Sequence, residues 1–302
     1  MRQSAGREAE SRREGKMRLW VFLLLILPLL AACERREAEN PAQRIEATEA
    51  YRTYFGPPPI VREGSCFALV GFLPLDGNPG QVKPLPFFLF VEEPSRQMRL
   101  LIEHLLQLPE HVLPPGLIAP FPAGATLETL TVRGEVAEVN LSFPGEAPTD
   151  PQIIQGIASA LGHSLVQFPG ILRVRISAGN SLLPHLPPEG FLPDPADVFQ
   201  PEPPRPIGIA GVWENGSGPE EVMLFFDRPV EVRSVQLTSE GGKPLDGDYF
   251  QSAFDMAVVV RPAAPASLAE GMPITVDFAV ADSLERAASG RETFPLSRIE
   301  HP

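Results

Sequence analysis

The stretch TLETLTVRGEVAEVNLSF, residues 126–143, decides the fold of the larger domain of this chain. Two β-rich runs flank Arg133-Gly134-Glu135, and Ala137, Val139, Leu141 and Phe143 alternate with polar residues after the turn. A period of two around a glycine predicts a half-buried β-hairpin. Downstream, Asp150 stands where a helix cap belongs, with Pro151 at the first helical position. Ile153, Ile154, Ile157 and Leu161 then form an apolar helix face, and Leu172, Val174 and Ile176 alternate in a further strand. Upstream, Met98, Leu101, Ile102, Leu105 and Leu108 mark another helix, closed by Pro109. Before it, short β-rich runs extend from Phe67 to Leu73 and from Phe87 to Val91. Two helices interspersed with strands predict an α+β domain over residues 54–183, a sheet covered on one face.

From Phe87 to Asn180 the chain resembles the GerMN domain of sporulation and spore germination. Its helix ends in a Leu-Leu pair, here Leu105-Leu106, and a proline-small-Gly turn leads into a strand, here Pro122-Ala123-Gly124-Ala125-Thr126-Leu127. The matching second strand is Val139-Asn140-Leu141-Ser142, the second helix carries Gln152-Ile153-Ile154, and the final strand holds Val174-Arg175-Ile176. Two positions depart from the family pattern. Gln107-Leu108-Pro109 replaces the usual Gly-Pro, and Asn140 stands where an aspartate is usual.

Nine prolines fall within residues 184–206, which predicts a stiff extended linker over 184–205. Residues 206–298 then read as an all-β sandwich. Its short strands run over Val222 to Asp227, Val232 to Leu237, Ala257 to Val260 and Ile274 to Val280, with a turn at Gly241-Gly242-Lys243-Pro244. Phe225-Phe226-Asp227-Arg228-Pro229-Val230, Gly242-Lys243-Pro244-Leu245, Arg261-Pro262, Leu268-Ala269-Glu270-Gly271 and Val280-Ala281-Asp282 resemble bacterial Ig-like domains of the surface-layer type. The fold expected is thus a GerMN-like α+β domain followed by an Ig-like sandwich.

The N-terminus supplies an address. Lys16 and Arg18 precede an apolar run from Leu19 to Leu30, and Ala31-Ala32 abuts Cys33. This resembles a bacterial lipobox, and Met17 would serve equally well as its start. A run of twelve apolar positions broken by Pro28 is too short to span a bilayer, which takes about 20 residues. The resemblance implies that residues 1–32 form a signal peptide and that Cys33 is lipidated. Residues 33–53, polar at their start, then read as a tether. Losing residues 1–32 removes six basic and three acidic side chains and leaves a formal charge near −16. Such a surface repels nucleic acid and anionic head groups, so no nucleic-acid partner is expected and the lipid bears the anchoring. Glu34 after the lipidated position leans towards the outer membrane, with the cell membrane as the other location. Either way the chain faces the periplasm or extracytoplasmic space.

Chemistry is sparse elsewhere. Gly162-His163-Ser164-Leu165-Val166 half-resembles a lipase elbow but has Val166 where glycine is needed. The histidines at 104, 111, 163, 185 and 301 lack metal-site spacing. Asp246 and Asp248 flank a glycine as turn residues do, and Tyr54-Phe55 is expected to pack against the core rather than present a glycan platform. Cys66, without a partner once Cys33 is acylated, reads as a buried inert thiol. The expectation is a non-enzymatic envelope lipoprotein with no cofactor or metal, binding peptidoglycan or envelope proteins. The alternatives are an envelope hydrolase with an unrecognised site, or a self-assembling structural module.

Overall fold

The computed structural model describes residues 43–61, 66–91, 93–108, 113–213, 218–239, 241–252 and 254–299. The signal peptide 1–32, Cys33 and tether residues 34–42 lie outside them. The expectation of a tether running to residue 53 is corrected, because folded structure is present from Gln43. Strand β1 (Gln43–Arg44) is followed by β2 (Glu46–Ala47), helix α1 (Glu49–Phe55) and β3 (Ile60–Val61), which pairs back on β1. Thr48 caps α1, its Oγ1 accepting from the Tyr51 N–H at 3.2 Å. Tyr51 and Phe55, one turn apart, are both buried. A helix of seven residues is too short to show a period, which is why charged neighbours disguised it.

Strands β4 (Cys66–Leu75) and β5 (Asn78–Phe90) form a long hairpin, and β2 joins β4 in parallel to complete a three-stranded sheet ordered β2-β4-β5. Every residue of β4 from Cys66 to Pro74 is buried, because both faces of the strand are covered. Phe67, Leu69 and Leu73 belong to the main core, which includes helices α2 (Gln97–Leu106) and α3 (Pro151–Leu165). Cys66, Ala68, Val70 and Phe72 pack with Tyr51 and Phe55 in a second core.

A four-stranded sheet, β6 (Thr126–Arg133), β7 (Val136–Ser142), β8 (Arg173–Ala178) and β9 (Ser181–Leu182), closes the other side of the main core. The expected hairpin turns at Gly134, whose φ of 60° suits glycine. Asp150 caps α3 through an Oδ1 that accepts from Gln152 N–H at 2.8 Å, and Pro151 opens the helix as expected. Two apolar positions expected on buried faces, Ile153 and Leu172, are exposed, while Ile154, Ile157, Val174 and Ile176 are buried.

The linker expectation for 184–205 is also corrected. This segment is a strap laid on the α+β domain. Phe191 and Val174 exchange two backbone hydrogen bonds of 2.8 and 2.9 Å, and Phe199 N–H donates to Val82 O at 2.9 Å. Gly162 lets the strap approach, since a Cβ there would lie 2.6 Å from the Phe191 ring. An extended, proline-rich chain is well suited to a sheet edge, where some N–H groups need no strand partner.

The C-terminal domain holds more strands than its sequence announces: β10 (Pro206–Val212), β11 (Glu221–Phe226), β12 (Glu231–Ser239), β13 (Lys243–Pro244), β14 (Gly247–Gln251), β15 (Ala257–Pro262), β16 (Pro273–Ala281) and β17 (Ala287–Ile299). They form one curled sheet ordered β13-β12-β16-β17-β10-β11-β15-β14. Its halves face each other across a core of Leu237, Val276 and Val280 on one side and Ile209, Leu224 and Val260 on the other. Strand β17 makes the corner. Residues 287–295 pair with β16, and from Leu296 onward the strand pairs with β10. The change falls at Pro295, which has no N–H to continue the ladder.

Bulges set the faces in both domains. Leu127 opposes Leu141 and Leu130 opposes Val139, although three residues apart in a regular strand point to opposite faces. A bulge at Glu128 inserts the extra residue that turns both leucines inward. Arg233 does the same for Val232 and Val235 in β12.

Candidate functional site

The face of the four-stranded sheet away from the helices gathers polar side chains from three strands. Ala137, Val139 and Leu141 point into the core, so Glu138, Asn140 and Ser142 point out. Arg173, Arg175 and Ser177 lie beside them on β8, with Thr129, Thr131 and Arg133 on β6. Glu138 is the hub of this face. Its Oε1 accepts from Arg175 at 2.9 Å, and its Oε2 lies 3.3 Å from Arg133 Nε and 3.4 Å from the Thr131 hydroxyl.

Asn140 bridges the strands. Its Nδ2 donates to Glu128 Oε2 at 2.7 Å while its Oδ1 accepts from the Ser177 hydroxyl at 3.1 Å. An aspartate here would set two carboxylates against each other, so the departure from the family residue follows from the bulged Glu128. Asn140→Asp is expected to cost about 0.5–1 kcal/mol, as like charges facing across strands do. Adding Glu128→Gln should return most of that loss. Urea unfolding midpoints of the two variants check it, and equal midpoints would contradict the pairing.

Beside this face, β6 is an edge of its sheet among the described residues. A cleft of about 610 Å³ flanks its first residues, lined by Glu103, Leu106 and Gln107 of α2's end and by Gly124, Thr126 and Leu127. An open polar face bordered by an edge strand and a cleft can hold an extended or flat partner.

Residues 75–183 match the family model described as "Germane: Sporulation and spore germination". This segment is thus similar to that family. The chain is also similar to solved structures. The first GerMN domain of the sporulation protein GerM from Bacillus subtilis is 18% identical over 44% of this chain and 97% of that one, with a TM-score of 0.28. The tandem GerMN domains of the same protein are 16% identical over 65% of this chain and 59% of that one, with a TM-score of 0.30. CopC from Methylosinus trichosporium OB3b is 19% identical over 33% and 98% of the two chains, with a TM-score of 0.23. No curated protein matches the chain.

In the α+β domain, the motif that half-resembles a hydrolase elbow has three structural tasks. Gly162 admits Phe191, as above. Ser164 Oγ accepts from Phe72 N–H at 3.0 Å on the edge of β4. His163 is buried with its ring 5.5 Å from that of Phe72, and its Nε2 has no hydrogen-bond partner among the described residues. Burial lowers its pKa from 6.5 to about 4, with Asp197 and Asp194 pulling weakly the other way.

That shift makes stability depend on pH. Between pH 4 and 6.5 the unfolded histidine binds a proton that the folded one does not. Stability is therefore full above about 6.5 and falls as pH drops, by about 3 kcal/mol near pH 4. His163→Leu should remove this share of the acid loss. Thermal melts of both proteins from pH 7 to 4 check it, and parallel curves would contradict it.

The remaining sequence candidates are dispersed. His104 is exposed, its Nδ1 2.8 Å from Leu100 O, and His185 is exposed as well. His111 and His301 lie outside the described residues. Tyr54 packs edge-on against Phe72 at 5.7 Å, and Phe55 is buried. Cys66 is a buried free thiol whose pKa is raised by burial. Among the described residues no three metal-ligating side chains converge, and no helix is long and apolar enough to cross a membrane.

Sequence reasoning missed the polar face. Thr129, Thr131, Glu138 and Ser177 are ordinary strand residues on their own, and only the register sets them in one plane.

Proposed function

We propose that the chain is a non-catalytic envelope lipoprotein, held in the cell or outer membrane by acyl groups on Cys33, whose spore germination domain binds an envelope component outside the cytoplasm. The observation that carries the binding role is the open face of β6, β7 and β8. It sets three arginines beside Glu128 and Glu138 on a chain that is otherwise strongly acidic. Peptidoglycan and envelope proteins both present carboxylates and amides that such donors recognise. The lipobox-like junction before Cys33 supports the anchor, since two or more acyl chains hold a protein stably where one does not.

Two measurements test this. Metabolic labelling with palmitate should mark the wild type and not Cys33→Ser, and equal labelling removes the anchor. The 33–302 chain should sediment with purified cell wall at low salt, and Thr129→Arg with Ser177→Arg should lower that retention at least fivefold. Absence of wild-type retention removes peptidoglycan. A photo-crosslinker at Thr129 in the native envelope then reads the protein partner, and no adduct would remove the binding role of this face.

A further inference from the structure

Among the described residues, the second core ends in aromatic rings that the α+β domain covers only in part. Along β5, Val82, Phe88 and Phe90 share one face. Phe88 meets the Tyr51 ring edge-on at 5.8 Å and stacks on Phe254 at 4.6 Å. Phe254 comes from the loop joining β14 to β15, so the two domains meet at this stack. Phe90 lies 5.6 Å from Phe254 and is 61% exposed. Ile60 on β3 is 56% exposed. These are the rings and chains that folding ordinarily hides.

The position of the patch says what covers it. Glu46 stands level with Phe67, which stands level with Leu89, so the start of β2 and the end of β5 lie at one end of the sheet. Two strand spacings, about 10 Å, separate them. Ile60 pairs with Arg44 just beyond that same end. The chain therefore enters the fold beside Phe90. Only residues 34–42 lie between Cys33 and Gln43, a reach of about 30–36 Å at full extension. A lipid on Cys33 would therefore tether the molecule to the bilayer from this end of the sheet.

We infer that the aromatic end of the three-stranded sheet, with Phe90 and Ile60 foremost, docks on the membrane surface that receives the acylated Cys33. The inference rests on the lipoprotein reading given above. Aromatic rings suit the boundary between head groups and acyl chains, where an apolar body can enter while the backbone stays hydrated. Glu46 and Asp255 near this end, and the charge of the whole chain, favour zwitterionic over anionic lipid.

The test supplies the anchor chemically. The 33–302 chain, which keeps every described residue, is coupled through Cys33 to a maleimide phospholipid in phosphatidylcholine vesicles. Cys66 is buried and does not compete. Tryptophan reporters are placed at Phe90, at Ile60 and, as control, at Ile153. The control is exposed near the opposite end, one turn before Gly156, whose neighbours Pro74 and Pro79 flank the hairpin turn. Brominated phosphatidylcholine should quench Phe90→Trp and Ile60→Trp at least twofold more than Ile153→Trp, above the background of buried Trp213. Replacing a third of the lipid by phosphatidylglycerol at low salt should reduce the difference.

Equal quenching at all three sites would overturn the docking. So would quenching that tracks protein density on the vesicle instead of bromolipid content, which marks association between copies. The coupling does not depend on cellular acylation, so these outcomes sink the docking alone, whereas failed palmitate labelling removes the anchor on which the docking rests.

Discussion

Arg228→Ala is expected to lower unfolding stability by about 3–5 kcal/mol, the cost of removing one partner from a buried ion cluster. Arg228 is 3% exposed and faces two nearly buried carboxylates. Its Nε and Nη2 donate to Asp227 at 3.0 and 2.8 Å, and its Nη1 lies 3.5 Å from Asp282. Asp282 also accepts from Arg286 Nε at 2.7 Å and from two backbone N–H groups of its own turn. Taking away the guanidinium strands charge where water cannot reach it. The cluster also joins the domains, because Arg286 donates to Tyr54 O at 2.7 Å and Arg228 lies 5.8 Å over the Phe55 ring. Urea unfolding reads the loss. The triple replacement Asp227→Asn, Arg228→Met and Asp282→Asn should return much of it, since an apolar or neutral substitute avoids the stranded charges. A single-variant loss below about 1 kcal/mol would show that the carboxylates find another partner.

Gln167→Ala carries the other large effect, about 2–6 kcal/mol from the two buried Val70 backbone groups alone at about 1–3 kcal/mol each. Strand β4 has β5 on one side along its length but β2 on the other only at Phe67 and Ala68. Past that point the Gln167 amide replaces a strand. Its Oε1 accepts from Val70 N–H at 3.0 Å and from the Thr48 hydroxyl at 2.9 Å, while its Nε2 donates to Val70 O and Ser164 O at 2.6 Å each. All four hydrogen-bonding positions of the amide are filled. Gln167→Glu is the sharper control, because it keeps size and acceptors but loses both donors. Hydrogen exchange at Val70 should accelerate in Gln167→Ala, and less in Gln167→Glu, which keeps the acceptor. Unchanged protection there would mean that another group caps the edge.

Local patterns carried much of this fold. The period of two in residues 136–143 and the Asp150-Pro151 cap placed β7 and α3 correctly, because both depend on neighbours in sequence. The Asp-Arg-Pro and Val-x-Asp runs of the sandwich were legible as motifs before their meeting was visible. In the structure they converge as Arg228 and Asp282, 54 positions apart. The short elements escaped notice for the opposite reason. Helix α1 and strands β13 and β14 are held by what packs on them, and seven or fewer residues do not sustain a period.

Function followed the same division. The junction at Cys33 resembles a lipobox over a dozen adjacent residues, and that resemblance needs no fold to be read. The chain alone also set the acidic charge, the α+β and all-β halves, and the proline-rich segment between them. Tertiary structure decided that this segment is a strap, that Gly162, His163 and Ser164 serve packing and edge closure, and that Glu128, Glu138, Asn140 and Ser177 share one open face. Those outcomes depend on bulges, register and the approach of distant strands. Each arises from contacts between residues that the sequence keeps far apart.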